Sequence, residues 1–470
     1  MPVLPCCANF FINYKKIYQF LLGCQQNCLK RNCTQIVSIS LEIIAVDPLV
    51  VLDRLAKSDE LNFYFEKGKG EAIAAIDAVA TLQIEGANRF NKAQEFINSC
   101  LANTITIGAI NEPFAGPHFF CSFSFFDENA QADYPFPAAT VFLPRWQVAC
   151  KSDRSVLVAN LIINADVNLE ILFQNFLQKV QKISLSATSS NKNNNYSREF
   201  IKQDVTGTDN FKQAVLSSLE LIQYNALNKI VLAHALDVKS PAPFSLLKSL
   251  NNLRRLHPDC YIFSTSNGKG QNFIGASPER LISIHHQQLT TDALAGSAPR
   301  GKTVAEDAEL ANRLLSSEKE RREHRVVIDF ITQCLYQLGI EPTLLPLRLR
   351  QLSNIQHLWT PIQAQVPANV HPLEIVAELH PTPAVAGAAR DTACAGIRRY
   401  ESFERGLYAA PLGWVDYLGN SEFIVGIRSA LIDGDRARLY AGAGIVAGSD
   451  PDKELAEIQL KLQALLKALA

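Results

Sequence analysis

The sequence predicts an α+β fold built on large antiparallel sheets. Three features point there: short apolar runs with a period of two, polar turns tight enough for hairpins, and helices that fall in groups between strands. A doubly wound fold would alternate strand and helix along the whole chain. At 470 residues with 47% apolar side chains, the chain can bury a large core, and a mixed fold can hold this length as one unit. The net charge of −1 offers neither nucleic acid nor an anionic membrane a basic surface. No apolar run is long enough to span a bilayer.

Residues 1–35 read as a variable, cysteine-containing N-terminal extension. Five of the eleven cysteines (Cys6, Cys7, Cys24, Cys28, Cys33) fall there and the rest are scattered, which fits reduced thiols. The spacing of Cys24, Cys28 and Cys33 matches no standard zinc pattern. With no clear cleavage site, the expected location is the cytoplasm, or a plastid if the extension is a transit peptide. Residues 36–470 read as a single domain, divided into an N-terminal subregion (36–185) and a catalytic core (198–470). In the first part, 36–46, 104–110, 118–126 and 155–165 have the pattern of strands. The polar run 186–197 reads as a solvent loop between the two parts.

The second part is more sharply patterned. Phe211, Val215, Leu219 and Ile222 form one stripe of a helix over 211–226, and a strand opening at Lys229 follows. Runs at 261–266, 272–276, 280–285 and 289–296 read as consecutive strands, with His286-Gln287 as a hairpin turn. One long helix is expected over about 304–338. Strands return at 412–417, 422–432 and 437–446, and Asp450-Pro451 has the N-cap and N1 chemistry that starts a last helix.

Against this scaffold a few residues stand out chemically. Glu320 and Glu323 lie on the same helical stripe as Val327, Phe330, Ile331, Cys334 and Leu338, where a carboxylate is costly unless paired or bound to metal. Glu454 and Glu457 make a second pair one turn before Lys461. Two helices that each present two carboxylates suit Mg²⁺, though each pair read locally is equally a solvated helix face. Gly442 and Gly444 leave backbone N–H groups open to an anion, and Arg428 can clamp a carboxylate at a strand end or simply lie at the surface. Lys229 shares a strand face with Val231 and Ala233, where desolvation would favour a base. Glu279 sits where a turn enters a strand and would serve as an acid if its surroundings held its proton.

Taken in order, GASPERL, LAGSAPRG, EKERREH, LHPTPAVAG, FERGLY, PLGW, IVGIRSA, YAGAGIV and DPDKELAEIQLK resemble the chorismate-utilising enzyme family. The resemblance is strong over 205–470 and only in outline before that, and it overturns the local surface readings. It implies large antiparallel sheets in layered packing with helices outside and the active site between them. It implies Mg²⁺ as cofactor, with Glu323 and Glu457 as ligands and Glu320 and Glu454 behind them. Arg428 and Tyr408, with the Gly442–Gly444 backbone, match the binders of the enolpyruvyl carboxylate. Lys461, Ser297 and Gly296 match substrate- or metal-site positions, and His357 a histidine near the ring hydroxyl.

Lys229 selects the branch that adds water at C2, because it resembles the base activating that water, with Glu279 as the acid at C4. The implied reaction is chorismate to isochorismate, serving menaquinone or phylloquinone synthesis. Chorismate is the expected small-molecule partner, the expected state is a monomer, and no glutamine amidotransferase is needed. Salicylate synthase, which goes on to release pyruvate, shares Lys229 and Glu279; Ala384 favours the synthase. A non-catalytic chorismate-binding relative is the alternative of a different class.

Overall fold

A computed structural model describes residues 14–68, 70–128, 134–185, 200–224, 227–352 and 355–470. Cys6, Cys7, the 186–197 run and the last two residues of the 211–226 helix lie outside them. The first part contains α1 (Tyr14–Arg31), β1 (Gln35–Ile43), α2 (Pro48–Leu55), β2 (Asn62–Lys67), β3 (Glu71–Ile84), α3 (Arg89–Ala102), β4 (Thr104–Gly108), β5 (His118–Phe123), β6 (Ala139–Lys151), β7 (Arg154–Ile163) and α4 (Leu169–Ser184). The second begins with β8 (Ile201–Asp204), α5 (Thr208–Gln223), β9 (Lys229–Lys239), α6 (Leu246–Leu256), β10 (Tyr261–Ser266), β11 (Gln271–Ser277), β12 (Arg280–His285) and β13 (Gln288–Pro299). It continues with α7 (Val304–Ser316), α8 (Glu318–Gln337), β14 (Thr343–Leu344), β15 (Arg348–Gln351), β16 (Ile355–Gln365), α9 (Pro372–Leu379) and α10 (Arg390–Tyr400). The chain ends with β17 (Pro411–Asp416), β18 (Ser421–Val425), β19 (Ser429–Asp433), β20 (Arg436–Val446) and α11 (Pro451–Leu469).

The strands form one hydrogen-bonded network that forks at β6, as an α+β fold of large antiparallel sheets requires. Residues 146–151 of β6 pair with β7 and residues 139–142 pair with β5, while β3 runs along its other edge. One arm proceeds from β3 through β2, β10, β11, β19 and β20 to β9 and β8. The other runs from β5 through β17, β18, β12 and β13 to β16, where β14 and β15 also pair. Among the described residues every strand pairing is antiparallel except β1 with β4. His286 and Gln287, both at positive φ, make the tight turn between β12 and β13.

Two elements differ from the sequence reading, and both differences fall at the site. The long helix over 304–338 is broken into α7 and α8 at Ser317, whose extended backbone and side chain cap the Glu320 N–H at 3.3 Å. The strand over 422–432 is likewise two strands. It breaks at Gly426–Arg428, where the chain passes from one arm to the other. Gly426 is packed so closely that a Cβ would lie 2.6 Å from Leu412 and 2.8 Å from the Leu407 carbonyl. Arg428 follows at φ 50°, in the left-handed region.

The other passage between the arms, at Pro278-Glu279, runs alongside. Val425 N–H donates to the Glu279 carbonyl at 3.1 Å, and Ala276 N–H donates to the Arg428 carbonyl at 3.1 Å. The helix α1 buries Leu21, Cys24 and Cys28, and the Cys28 thiol donates to the Ile163 carbonyl at 3.4 Å. The described cysteines are all free thiols. Among the described residues no helix is long and apolar enough to cross a membrane.

A buried ion pair fixes β9. Arg405 binds Glu401 through Nη2 at 2.5 Å and Nε at 2.8 Å, and donates to the carbonyls of Val231 and Val385. The Glu401 carboxylate also accepts from the Ala233 N–H at 2.7 Å. With both side chains almost fully buried, removing one partner strands a charge in the core. Arg405→Leu is expected to lower unfolding stability by about 3–5 kcal/mol, read by chemical denaturation.

Candidate active site

A cavity of about 530 Å³ opens where the two arms, α8 and α11 meet, and all fourteen positions named from the sequence line it. Lys229 begins β9 and is 8% exposed. Its carbonyl accepts from Ala388 N–H at 3.0 Å, and Gly387 packs so tightly there that a Cβ would come within 2.2 Å of that oxygen. On β20, Gly444, two residues before Val446, the register partner of Lys229, leaves room for the lysine stem, since a Cβ would sit 3.0 Å from Lys229 Cε. Gly442 does the same for Tyr408, whose hydroxyl would lie 2.7 Å from a Cβ. The Tyr408 ring stacks on Tyr440 at 5.2 Å.

The register also frees donors. The partners of Gly442 and Gly444 on β9 are Ala233 and Val231, whose N–H groups go instead to Glu401 and to the Ala386 carbonyl. These are therefore non-hydrogen-bonded pairs, and the N–H groups of both glycines point away from β9. Arg428 stands at the arm crossing, where its left-handed backbone lets the side chain leave the strand direction.

Gly296, at φ 75°, makes a bulge in β13 between Ala295 and Ser297. The bulge aims Ser297 N–H at Glu320 Oε2, 3.2 Å away, while Ser297 Oγ lies 2.7 Å from His357 Nδ1 across the β13–β16 pair. Burial, with Arg428 nearby, pulls the His357 imidazole down to about 4, so it is neutral near pH 7.

Four carboxylates face the cavity, Glu320 and Glu323 from α8 and Glu454 and Glu457 from α11. In this structure Lys229 Nζ holds Glu323 Oε1 at 2.7 Å. Lys461 Nζ holds Glu457 Oε1 at 2.7 Å and the Gly442 carbonyl at 2.8 Å. Burial raises Glu454, and Glu457 adds to the rise. Among the described residues no three His, Cys, Asp or Glu side chains converge on a single metal position. The donor set, all carboxylate oxygen from two facing helices, nevertheless suits a hard cation such as Mg²⁺.

Glu279 is the most perturbed of the cavity's acids. Burial pushes its carboxyl up from 4.5 to about 7; Lys229 pulls it down, Asp292 pushes it up, and Arg350 pulls it down. Several cavity residues were not read from the sequence. Tyr440 lies in the apolar β20, Ile427 lies in the crossing between β18 and β19, and Lys319 and Lys453 are each the residue before a cavity glutamate, Glu320 and Glu454. Asp292 was also missed, although a lone carboxylate inside the apolar alternation of TTDALAG was a usable signal.

The sequence profile of the family described as chorismate binding enzyme matches residues 23–470. The chain belongs to that family. It is 39% identical to the salicylate biosynthesis isochorismate synthase of Pseudomonas aeruginosa over 258 residues, 54% of each chain. It is 29% identical to isochorismate synthase MenF of Bacillus subtilis over 465 residues, 93% of this chain and 94% of that one. Among solved structures, the menaquinone-specific isochorismate synthase MenF of Escherichia coli superposes with a TM-score of 0.78 at 26% identity, covering 96% of this chain and 100% of that one. Anthranilate synthase component I from Streptococcus pneumoniae shares the fold, with a TM-score of 0.71 at 19% identity over 84% of this chain and 92% of that one. The family's layered antiparallel fold is thus the fold seen here.

Because the fold favours the protonated Glu279, that carboxyl contributes stability in full below pH 4.5 and loses it as pH rises through about 7. Glu279→Gln keeps the shape and removes the titration. The variant should match the parent at pH 4 and exceed it at pH 8 by about 3 kcal/mol, measured by denaturation at the two pH values.

Proposed function

We propose that this protein is an isochorismate synthase, converting chorismate reversibly to isochorismate with Mg²⁺. The observation that carries the reading is the pairing, in one cavity, of the buried Lys229 amine with a Glu279 carboxyl raised to about 7. A carboxyl so raised can give a proton near neutral pH, and the amine beside it is the group that can take one from water. The full-length similarity to MenF proteins supports the same assignment.

Arg428 and the Tyr408 hydroxyl, with the N–H groups of Gly442 and Gly444, bind the enolpyruvyl carboxylate. Glu323 and Glu457 would hold Mg²⁺, with Glu320 and Glu454 behind them. When bound, the ion neutralises the ring carboxylate and fixes its position. Lys229 accepts a proton from the water whose oxygen bonds to C2. The two ring double bonds shift, the C4–O bond breaks, and Glu279 gives its proton to the departing hydroxyl, which leaves as water. Neutral His357, tied to Ser297, faces the ring hydroxyl as a hydrogen-bonding partner. Ala384 puts a methyl group in the cavity wall, which favours the synthase over a pyruvate-eliminating enzyme. The reaction calls for no ammonia and so for no amidotransferase subunit. A cytoplasmic monomer feeding a quinone pathway fits that chemistry.

Incubation with chorismate and Mg²⁺, without ammonia, followed by chromatography tests the reading. An isochorismate peak approaching equilibrium with chorismate is expected. Salicylate with pyruvate would move the protein to the lyase branch, and bound but unchanged chorismate would make it a non-catalytic relative. The forward step needs Glu279 protonated, so the forward rate should fall as pH rises through about 7.

Lys229→Ala should cut turnover by about 10²–10⁴-fold while chorismate still binds in the presence of Mg²⁺. Loss of binding as well, by calorimetry, would count against a base. Glu323→Ala and Glu457→Ala should raise the Mg²⁺ concentration needed for half-maximal activity; an unchanged Mg²⁺ titration would remove them as ligands.

A further inference from the structure

Beyond Ser297 the active cavity continues into a groove of about 440 Å³. Ser297, Ile355, Arg428, Glu457 and Lys461 line both spaces, so the two are continuous. One wall of the groove is the α11 stripe Glu457, Leu460, Lys461, Ala464 and Lys467, whose i,i+3 and i,i+4 spacing puts these side chains on one helix face. The facing wall is Ala298 and Pro299 of β13, with Leu256 at the end of α6. The chemistry above gives Leu256, Ala298, Ala464 and Lys467 no task.

The groove has a charge of its own. Arg428, Lys461 and Lys467 face a single carboxylate, Glu457, which Lys461 already holds at 2.7 Å. Among the described residues neither Arg428 nor Lys467 has a carboxylate at ion-pair distance. Lys467 stands six residues past Lys461, about 9 Å further along the helix axis. The opposite rim of the cavity, where α8 and α11 begin, is acidic: Glu320, Asp450 and Glu454 outnumber Lys319 and Lys453. In a chain of net charge −1, such a local excess of cations focuses the field on one entrance. The groove also keeps an apolar strip beside its cations, with Leu460 67% and Leu256 38% exposed, which suits an anion carried on a carbon ring. We propose that this groove is the route by which the dicarboxylate substrate enters and its product leaves, with Lys467 as the outer docking point for a carboxylate that Lys461 and Arg428 then take over. The inference rests on the reading of the inner cavity as the chorismate site. The acidic rim would turn the same dianion away.

The test follows chorismate itself. Its association and dissociation rates are read from the broadening of its proton resonances in the full-length K229A chain with Mg²⁺, where binding is not followed by turnover. K467E should slow association about tenfold at low ionic strength, and K467Q by less. The gap should close as added salt shortens the Debye length from about 30 Å at 0.01 M to about 3 Å at 1 M. K202E makes the same charge change on β8, outside both spaces, and should leave the rates alone. A464F narrows the groove and should slow association and dissociation by the same factor, leaving Kd in place, as a passage requires. Association that K467E leaves unchanged, or that K202E slows equally, would overturn the proposal. So would an A464F chain whose rates match the parent's. If A464F does not fold, the Lys467 variants and their salt dependence decide alone. Rates that respond as stated in a protein that makes no isochorismate would keep the route and remove the synthase reading. Isochorismate formed by the parent, with association indifferent to K467E and A464F, would do the reverse.

Discussion

The structure depends on the two places where the chain passes between the arms of the forked sheet. Because β11 pairs with β19 and β12 with β18, the passages at Pro278-Glu279 and Gly426–Arg428 run side by side, cross-linked by backbone hydrogen bonds. A strand interior commits every backbone group to its neighbours and lets side chains project only above and below the sheet. A crossing relaxes both constraints. Glu279 and Arg428 therefore enter the cavity between the arms from the crossings themselves, beside strand residues such as Lys229 and His357. The close approach at Gly426 and the left-handed backbone of Arg428 are the local cost of that exit.

The same economy governs charge. Lys229 pairs with Glu323, Lys461 with Glu457, Arg280 with Asp292 and Arg405 with Glu401. Only Glu457–Lys461 lies within one element, α11; Glu401 and Arg405 both lie in the segment after α10. The others bring β9 to α8 and β12 to β13. Buried ion pairs are weak sources of net stability, but they are intolerant of misplacement, so they fix where the elements of the cavity wall meet.

Much of this was legible in the sequence because period-two strands and hairpin turns are local signals. The strands from 261 to 296 and the Asp450 cap were read within a few residues. The cavity residues were legible for a different reason, namely the ordered motifs, since each taken alone resembles a surface residue. What escaped reading was decided at long range or hidden by uniform composition. The stretch SSEKERREH is polar throughout, so nothing in its periodicity marks a helix break at Ser317, although serine is the residue that would cap one. FIVGI runs without a polar side chain up to Arg428 and conceals the crossing at Gly426–Arg428. Pairings such as β2 with β10 and β5 with β17 join residues hundreds of positions apart, which no window of sequence records.

The lysines at the acidic end of the cavity bear on how the protein is made. Four carboxylates crowded between two helices would repel one another and push α8 and α11 apart as the chain collapses. Lys229 and Lys461 each ride on a strand or helix that must arrive at the same place, and each brings a positive charge to one of the proposed metal ligands. The polypeptide thus carries its own counter-ions for assembly.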